Sequence, residues 1–254
     1  MKATQVYVHL DTISNSVMSK GMSLVDFQEA ITLFPQNILL LSAEPSAGEF
    51  EPSTGLRMIR GEEAIRQFFN SSLDNGNSMK WIDFKSIDLL RQLTPIEISE
   101  LLYFAHMRTH LHSPFFYKLQ NNFVFFGRQD DYGKVYYRHL DEFFLVLQRG
   151  IERQVQEQVN HRRLFFQQKV AIPTVDLKLL KEAKSILQEG VVFDFSQKEM
   201  IDDLYCVPVY IMEDKIKTAT ERDEKILTLI YSHLDRTWTI EYEDVGLLYG
   251  SKQV

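Results

Sequence analysis

The tetrapeptide Thr94-Pro95-Ile96-Glu97 constrains the fold more than any other stretch of the chain. Thr94 suits a helix N-cap. Pro95 suits the first turn, where a missing N–H costs nothing, and Glu97 can reach back to the cap. The spacing of Ile98, Leu101, Leu102, Ala105 and Met107 carries this helix to about Thr109, and Pro114 excludes it beyond. The aromatic stretch that follows reads as a β-hairpin over 115–138, with arms at 123–126 and 135–137 and a turn at 129–133. Asp141 then opens a long helix to about Gln168, with Gly150 as a candidate kink. Helix, β-hairpin and long helix make a central unit over 94–170.

The flanks alternate between short strands and helices. Residues 5–10, 37–43, 56–60 and 79–84 read as strands, and 44–55 as an exposed loop. Ser23 caps a helix with Asp26 in capping-box position, and 62–71 forms another, with Ala64, Ile65, Phe68 and Phe69 inward. Asp74-Asn75-Gly76-Asn77 is a turn. Further on, 175–188 is helical and ends at Gly190, 191–195 is a strand, and 197–204 a short helix. The strand at 205–212 contains Pro208 and therefore belongs at an edge. Residues 220–233 read as a helix and 236–242 as a last strand.

The resulting class is α+β: mixed sheet elements with helices and the central helix–β-hairpin–long helix unit. Three segments result: 1–93, 94–170 and 171–254. Whether the outer two pack as one domain stays open. A chain of 254 residues with a 44% hydrophobic share can bury a sizeable core.

The lone Cys206 can form no internal disulfide. With no signal peptide and no apolar run of spanning length, it sets the expectation of a cytoplasmic protein without a membrane segment. The net charge of −7 is unevenly spread. Residues 1–101 carry 8 basic and 13 acidic side chains, 102–170 carry 10 and 6, and 171–254 carry 10 and 16. A basic centre therefore lies between acidic flanks, and the acidic total argues against a non-specific DNA coat.

Three of the seven histidines fall within positions 106–112. His106 and His110 are four apart, so on a helix their rings share a face, a spacing that suits two ligands of one metal ion. His112 can turn back as a third ligand, and His139 or Asp141 can complete the shell from the far end of the hairpin. The cofactor implied is a divalent metal such as Zn or Mn, with Glu100 as proton acceptor for a metal-bound water. The zincin pattern needs Glu after the first His, and Met107 stands there. The competing reading makes these histidines half-buried polar residues bonded to backbone.

Arg108, Lys118, Arg128, Lys134 and Arg138 lie among Phe115, Phe116, Tyr117, Tyr136 and Tyr137, and Arg162 and Arg163 follow on the long helix. Such a surface can stack bases and neutralise phosphates. Aromatic residues in strands more often pack a core, so nucleic acid is not the favoured partner. The order of residues 121–128 also departs from the single-strand RNA motif. Nucleophile elbow, phosphate loop and dinucleotide fingerprint are all missing. The chain resembles no family at the level of motifs.

Three functions remain. The first is a protein partner or a homo-oligomer, met through an interaction or self-association surface on the central unit. The second is a metal-dependent hydrolase using the histidine cluster. The third is nucleic-acid binding through the basic centre.

Overall fold

Short apolar segments bounded by Gly, Pro and Ser fold into strands, and the capped periodic segments fold into helices. In the computed structural model, residues 4–42, 48–72, 79–106, 113–127, 132–161, 172–196, 200–201, 204–212 and 224–243 are described. The first half contains β1 (Gln5–Asp11), β2 (Ser16–Lys20), α1 (Leu24–Ala30), β3 (Asn37–Ser42), β4 (Glu49–Glu51), β5 (Leu56–Arg60), α2 (Glu62–Ser72) and β6 (Lys80–Phe84). Next come α3 (Ile87–Arg91), α4 (Pro95–His106), β7 (Phe123–Gly127), β8 (Tyr132–Tyr137) and α5 (Leu140–His161). The rest holds α6 (Leu177–Glu182), α7 (Lys184–Glu189), β9 (Val191–Asp194), β10 (Met200–Ile201), β11 (Leu204–Ile211), β12 (Lys225–Ser232) and β13 (Thr237–Tyr242). The class is α+β, dominated by antiparallel strands. No helix among the described residues is long and apolar enough to cross a membrane.

By its contacts the chain divides into two units: residues 9–150, and residues 1–8 with 151–254. Residues 94–150 fall in the first unit and 151–170 in the second. The division runs inside β1 and inside α5.

The 9–150 unit carries the strand order β2-β8-β7-β6-β3-β5-β4. Register puts Met58, Leu39, Ile82, Val124 and Tyr136 in one cross-strand row. That row packs with Leu90 of α3 and Leu101 and Phe104 of α4 in one buried cluster. The alternate row carries Leu40, Trp81, Phe125 and Val135. Phe27 of α1 meets Trp81, Phe123, Phe125 and Tyr137, and Phe69 of α2 stacks on Trp81. The period of two along each strand thus feeds two separate cores.

The other unit has the order β13-β12-β11-β9-β1, and β10 also pairs with β11. Leu180, Ala183 and Leu187 of the α6–α7 segment meet Phe193, Val209, Leu227 and Leu229 around a small void. The Trp238 indole N–H donates to the Pro173 carbonyl at 2.8 Å.

Several sequence expectations need correction. Residues 225–232 form β12, not part of a helix. Their run of Ile, Leu, Thr and Tyr suits a strand between two others, and pairing to β11 and β13 decides it. Met200 and Ile201 are likewise strand. Strand β11 runs unbroken through Pro208 and lies between β12 and β9, not at an edge. Pro208 opposes Thr228 on one side. On the other it falls between residues paired to β10 and residues paired to β9, where the ladder is interrupted. The 44–55 loop contains β4, and Ala64 is exposed. Strand β2 was not foreseen. The helix after Pro173 starts from Asp176 and is divided at Ala183. The 74–77 turn lies outside the described residues.

Candidate functional site

Helix α4 begins as its sequence demands. The Thr94 N–H and hydroxyl both donate to the Glu97 carboxylate, at 2.7 and 2.8 Å, and the Glu97 N–H donates to the Thr94 hydroxyl at 3.3 Å. The helix is apolar on more than one side. Leu101 and Phe104 face the core with partly buried Ile98. Ile96, Ser99, Glu100 and Tyr103 recur at the helical period on another face and line a groove with a volume of about 670 Å³.

The facing wall is Phe115, Phe116, Tyr117 and Lys118. Residues 115–122 are not hairpin, as the aromatic composition had implied. The described strand β7 begins only at Phe123, and a turn pinned by Asn121 precedes it. The fully buried Asn121 side chain accepts from the Phe116 N–H at 2.9 Å and donates to the Pro114 carbonyl at 3.2 Å. Gln120 closes the turn in the left-handed region, φ 52°. Its N–H donates to the carbonyls of Phe116 and Tyr117.

Lys118 joins the two walls. Its ammonium donates to Glu97 at 2.7 Å and to the Gln92 carbonyl at 3.0 Å. Hydrogen bonds from Lys118 and Thr94 hold the Glu97 carboxyl down to about 2. Above the groove floor, Ile96 is 73% exposed, Tyr103 40% and Tyr117 90%. Glu100 is an exposed carboxylate on the same helix face.

On the other side of Tyr117 lies a second cavity of about 500 Å³. Asp83, at the end of β6, is buried there and accepts from the N–H groups of Asn122 (2.9 Å) and Phe123 (2.6 Å). Burial pushes its pKa up to about 7, against the pull of those hydrogen bonds and of the Arg138 charge. Arg138 is half-buried. Its Nε donates to the Asn121 carbonyl at 2.6 Å, and its guanidinium carbon lies 5.0 Å from the centre of the Phe115 ring.

The structure bears on the sequence candidates as follows. His106 ends α4, and its side chain is outside what is described. Arg108, His110, His112, Arg128, Arg162 and Arg163 lie outside the described residues. His139 is exposed just before α5, and Asp141 is exposed in its first turn. Among the described residues no group of three or more His, Cys, Asp or Glu is placed to hold a metal ion. The Lys134 ammonium sits 4.8 Å from the centre of the Tyr136 ring. Cys206 is half-buried within β11.

Sequence reasoning missed Asp83 and Asn121, and placed Lys118 on a basic, aromatic surface without its tie to Glu97. Asp83 carried a legible signal, a carboxylate inside the apolar segment Trp81-Ile82-Asp83-Phe84. The bonds of Lys118 to Gln92 and Glu97 span more than twenty residues and leave no local pattern, whereas Asn121 closes a turn on Pro114 and Phe116 that no residue spacing announces.

No protein-family model, curated protein or solved structure matches this chain.

Proposed function

We propose that the protein is a binding module, and that the groove beside α4 receives an apolar segment of a protein partner carrying a basic residue. The observation that carries this reading is the second apolar face of α4. A helix that buries Leu101 and Phe104 inward normally turns a polar face outward, whereas α4 presents Ile96 and Tyr103 there, opposite Tyr117. Exposed aromatic and aliphatic side chains gathered in one concavity mark recognition sites. Glu100 supplies the charge that a partner's cation would meet, since Glu97 is already paired to Lys118. The reading takes α4, the β7–β8 hairpin and α5 as the working unit, in the cytoplasm that the lone Cys206 suggests.

Selection from a random peptide library tests the proposal. Enriched peptides should pair apolar residues with a Lys or Arg, and Tyr103→Glu should weaken them at least about tenfold, the usual size of a lost hot spot. Glu100→Gln should weaken them less and flatten their salt dependence. Peptides that bind Tyr103→Glu as well as the parent protein would refute the groove. Dimerisation of the purified protein that Tyr103→Glu abolishes would make a second copy the occupant.

A further inference from the structure

The second cavity lies across Tyr117 from the groove and holds a different chemistry. Asp83, Phe84 and Pro35 are its buried members, with Phe34, Asn122 and Arg138 half-buried and Lys85, Gln120 and Tyr117 exposed. Two cations therefore line a space in which Asp83 is the only carboxylate among the described residues. The Arg138 guanidinium is fixed by its Nε bond to Asn121 and by the Phe115 ring beneath it. Its Nη2 is buried with no hydrogen-bond partner among the described residues. Nη2 carries two N–H groups, and a buried guanidinium nitrogen with neither bonded is a costly arrangement unless an acceptor arrives. Gln120 adds a second sign. It occupies a left-handed backbone position that favours glycine, yet its side chain lines the cavity.

We infer that this cavity is a binding site for a small organic carboxylate with an apolar body, its charge met by Arg138 and Lys85 and its body by Leu33 and Phe34. A single negative charge suits the site better than a phosphate dianion. Asp83 stands beside the cations and would repel the second charge. The side-chain amides of Gln120 and Asn122 can donate to carboxylate oxygens. A guanidinium held in one plane favours the paired oxygens of a carboxylate.

Among the described residues, the cavity's titratable and charged groups are Asp83, Lys85, Arg138 and Tyr117. Ionised Asp83 opposes an incoming carboxylate and protonated Asp83 does not. With its pKa near 7, affinity should fall as pH rises through neutrality.

The probe is phenylacetate, titrated into the full-length protein by calorimetry and followed by amide NMR, with phenylacetamide, inorganic phosphate and a peptide ending in a free phenylalanine carboxylate as comparisons. Phenylacetate should bind saturably and shift the amides of Gln120, Asn122 and Phe123. Phenylacetamide and phosphate should bind at least about tenfold more weakly, the usual worth of a charge-assisted pair. Arg138→Gln should weaken phenylacetate by a similar factor. Because Arg138 also supports the 115–122 turn, Lys85→Gln at the exposed rim gives an independent check and should weaken it severalfold. Asp83→Asn should remove the fall in affinity between pH 6 and pH 8. Tyr103→Glu should leave phenylacetate binding unchanged, which separates this site from the groove. The inference is overturned by no saturable binding, by equal binding of acid and amide, by phosphate binding as tightly as phenylacetate, or by insensitivity to both Arg138→Gln and Lys85→Gln. Tighter binding of the peptide than of phenylacetate would overturn the small-molecule assignment.

Discussion

At the scale of the residue, Asp83 carries the most information. Its carboxylate takes the N–H groups of Asn122 and Phe123 just where the β6–β7 ladder, which pairs Ile82 with Val124, comes to an end. A backbone donor left unpaired in a buried place costs free energy, and the carboxylate removes that cost. Burial nevertheless raises its pKa from 3.8 to about 7. The native state then holds the proton more tightly than the unfolded chain does. The stability this confers is fully present below about pH 4 and is lost as pH rises through 7. Relative to Asp83→Asn, the parent protein should therefore gain stability on acidification from pH 8 to pH 4, by up to about 4 kcal/mol. Urea unfolding of both proteins across that range measures the difference. A gap that stays constant with pH would show that Asp83 titrates as an exposed aspartate does. Asp194 in the other unit is also buried, but its carboxylate accepts from the N–H of Ser196 two residues on, at 2.8 Å.

At the scale of the element, capping signals proved the most legible part of the sequence. Ser23 and Asp26 form the reciprocal capping box foreseen for α1, and Thr94 and Glu97 do the same for α4. Such boxes depend on side chains three residues apart, so sequence alone contains them. Thr94→Ala should cost about 1 kcal/mol of stability. It should also free Glu97 from one partner and loosen the wall that Lys118 ties down. Thermal unfolding checks the first effect. For the second, the NMR titration of Glu97 should show its pKa rise from about 2 toward the ordinary glutamate range. Unchanged stability together with an unchanged Glu97 would mean that the cap contributes nothing. Strand-or-helix decisions fared worse where apolar residues ran together. In β12, Ile226, Leu227, Leu229 and Tyr231 are buried, and so is the polar Thr228. A segment covered on both faces shows neither the period of two nor that of 3.6. Gly150 does not interrupt α5, which runs continuously through it.

At the scale of the whole molecule, the chain organises into two units whose division no composition shift marks. Within the 9–150 unit, Phe27 joins the aromatic core, touching Phe69, Trp81, Phe123, Phe125 and Tyr137. Phe27→Ala should cost about 3–5 kcal/mol. Hydrogen exchange should show that loss in β3, β6 and β7, and a smaller one in β11 and β12 of the other unit. Equal loss in all five strands would mean that the two units unfold as one.

The sequence by itself determined the class, most strand and helix positions in the first half, and both capping boxes, because each rests on contacts between near neighbours in the chain. Only the tertiary structure decided which residues share a surface. It set Tyr117 opposite Tyr103, fixed Arg138 over Phe115, and buried Asp83 against the start of β7. Those pairings come from strand register and from the turn around Asn121, which close contacts across tens of residues. No local period records them.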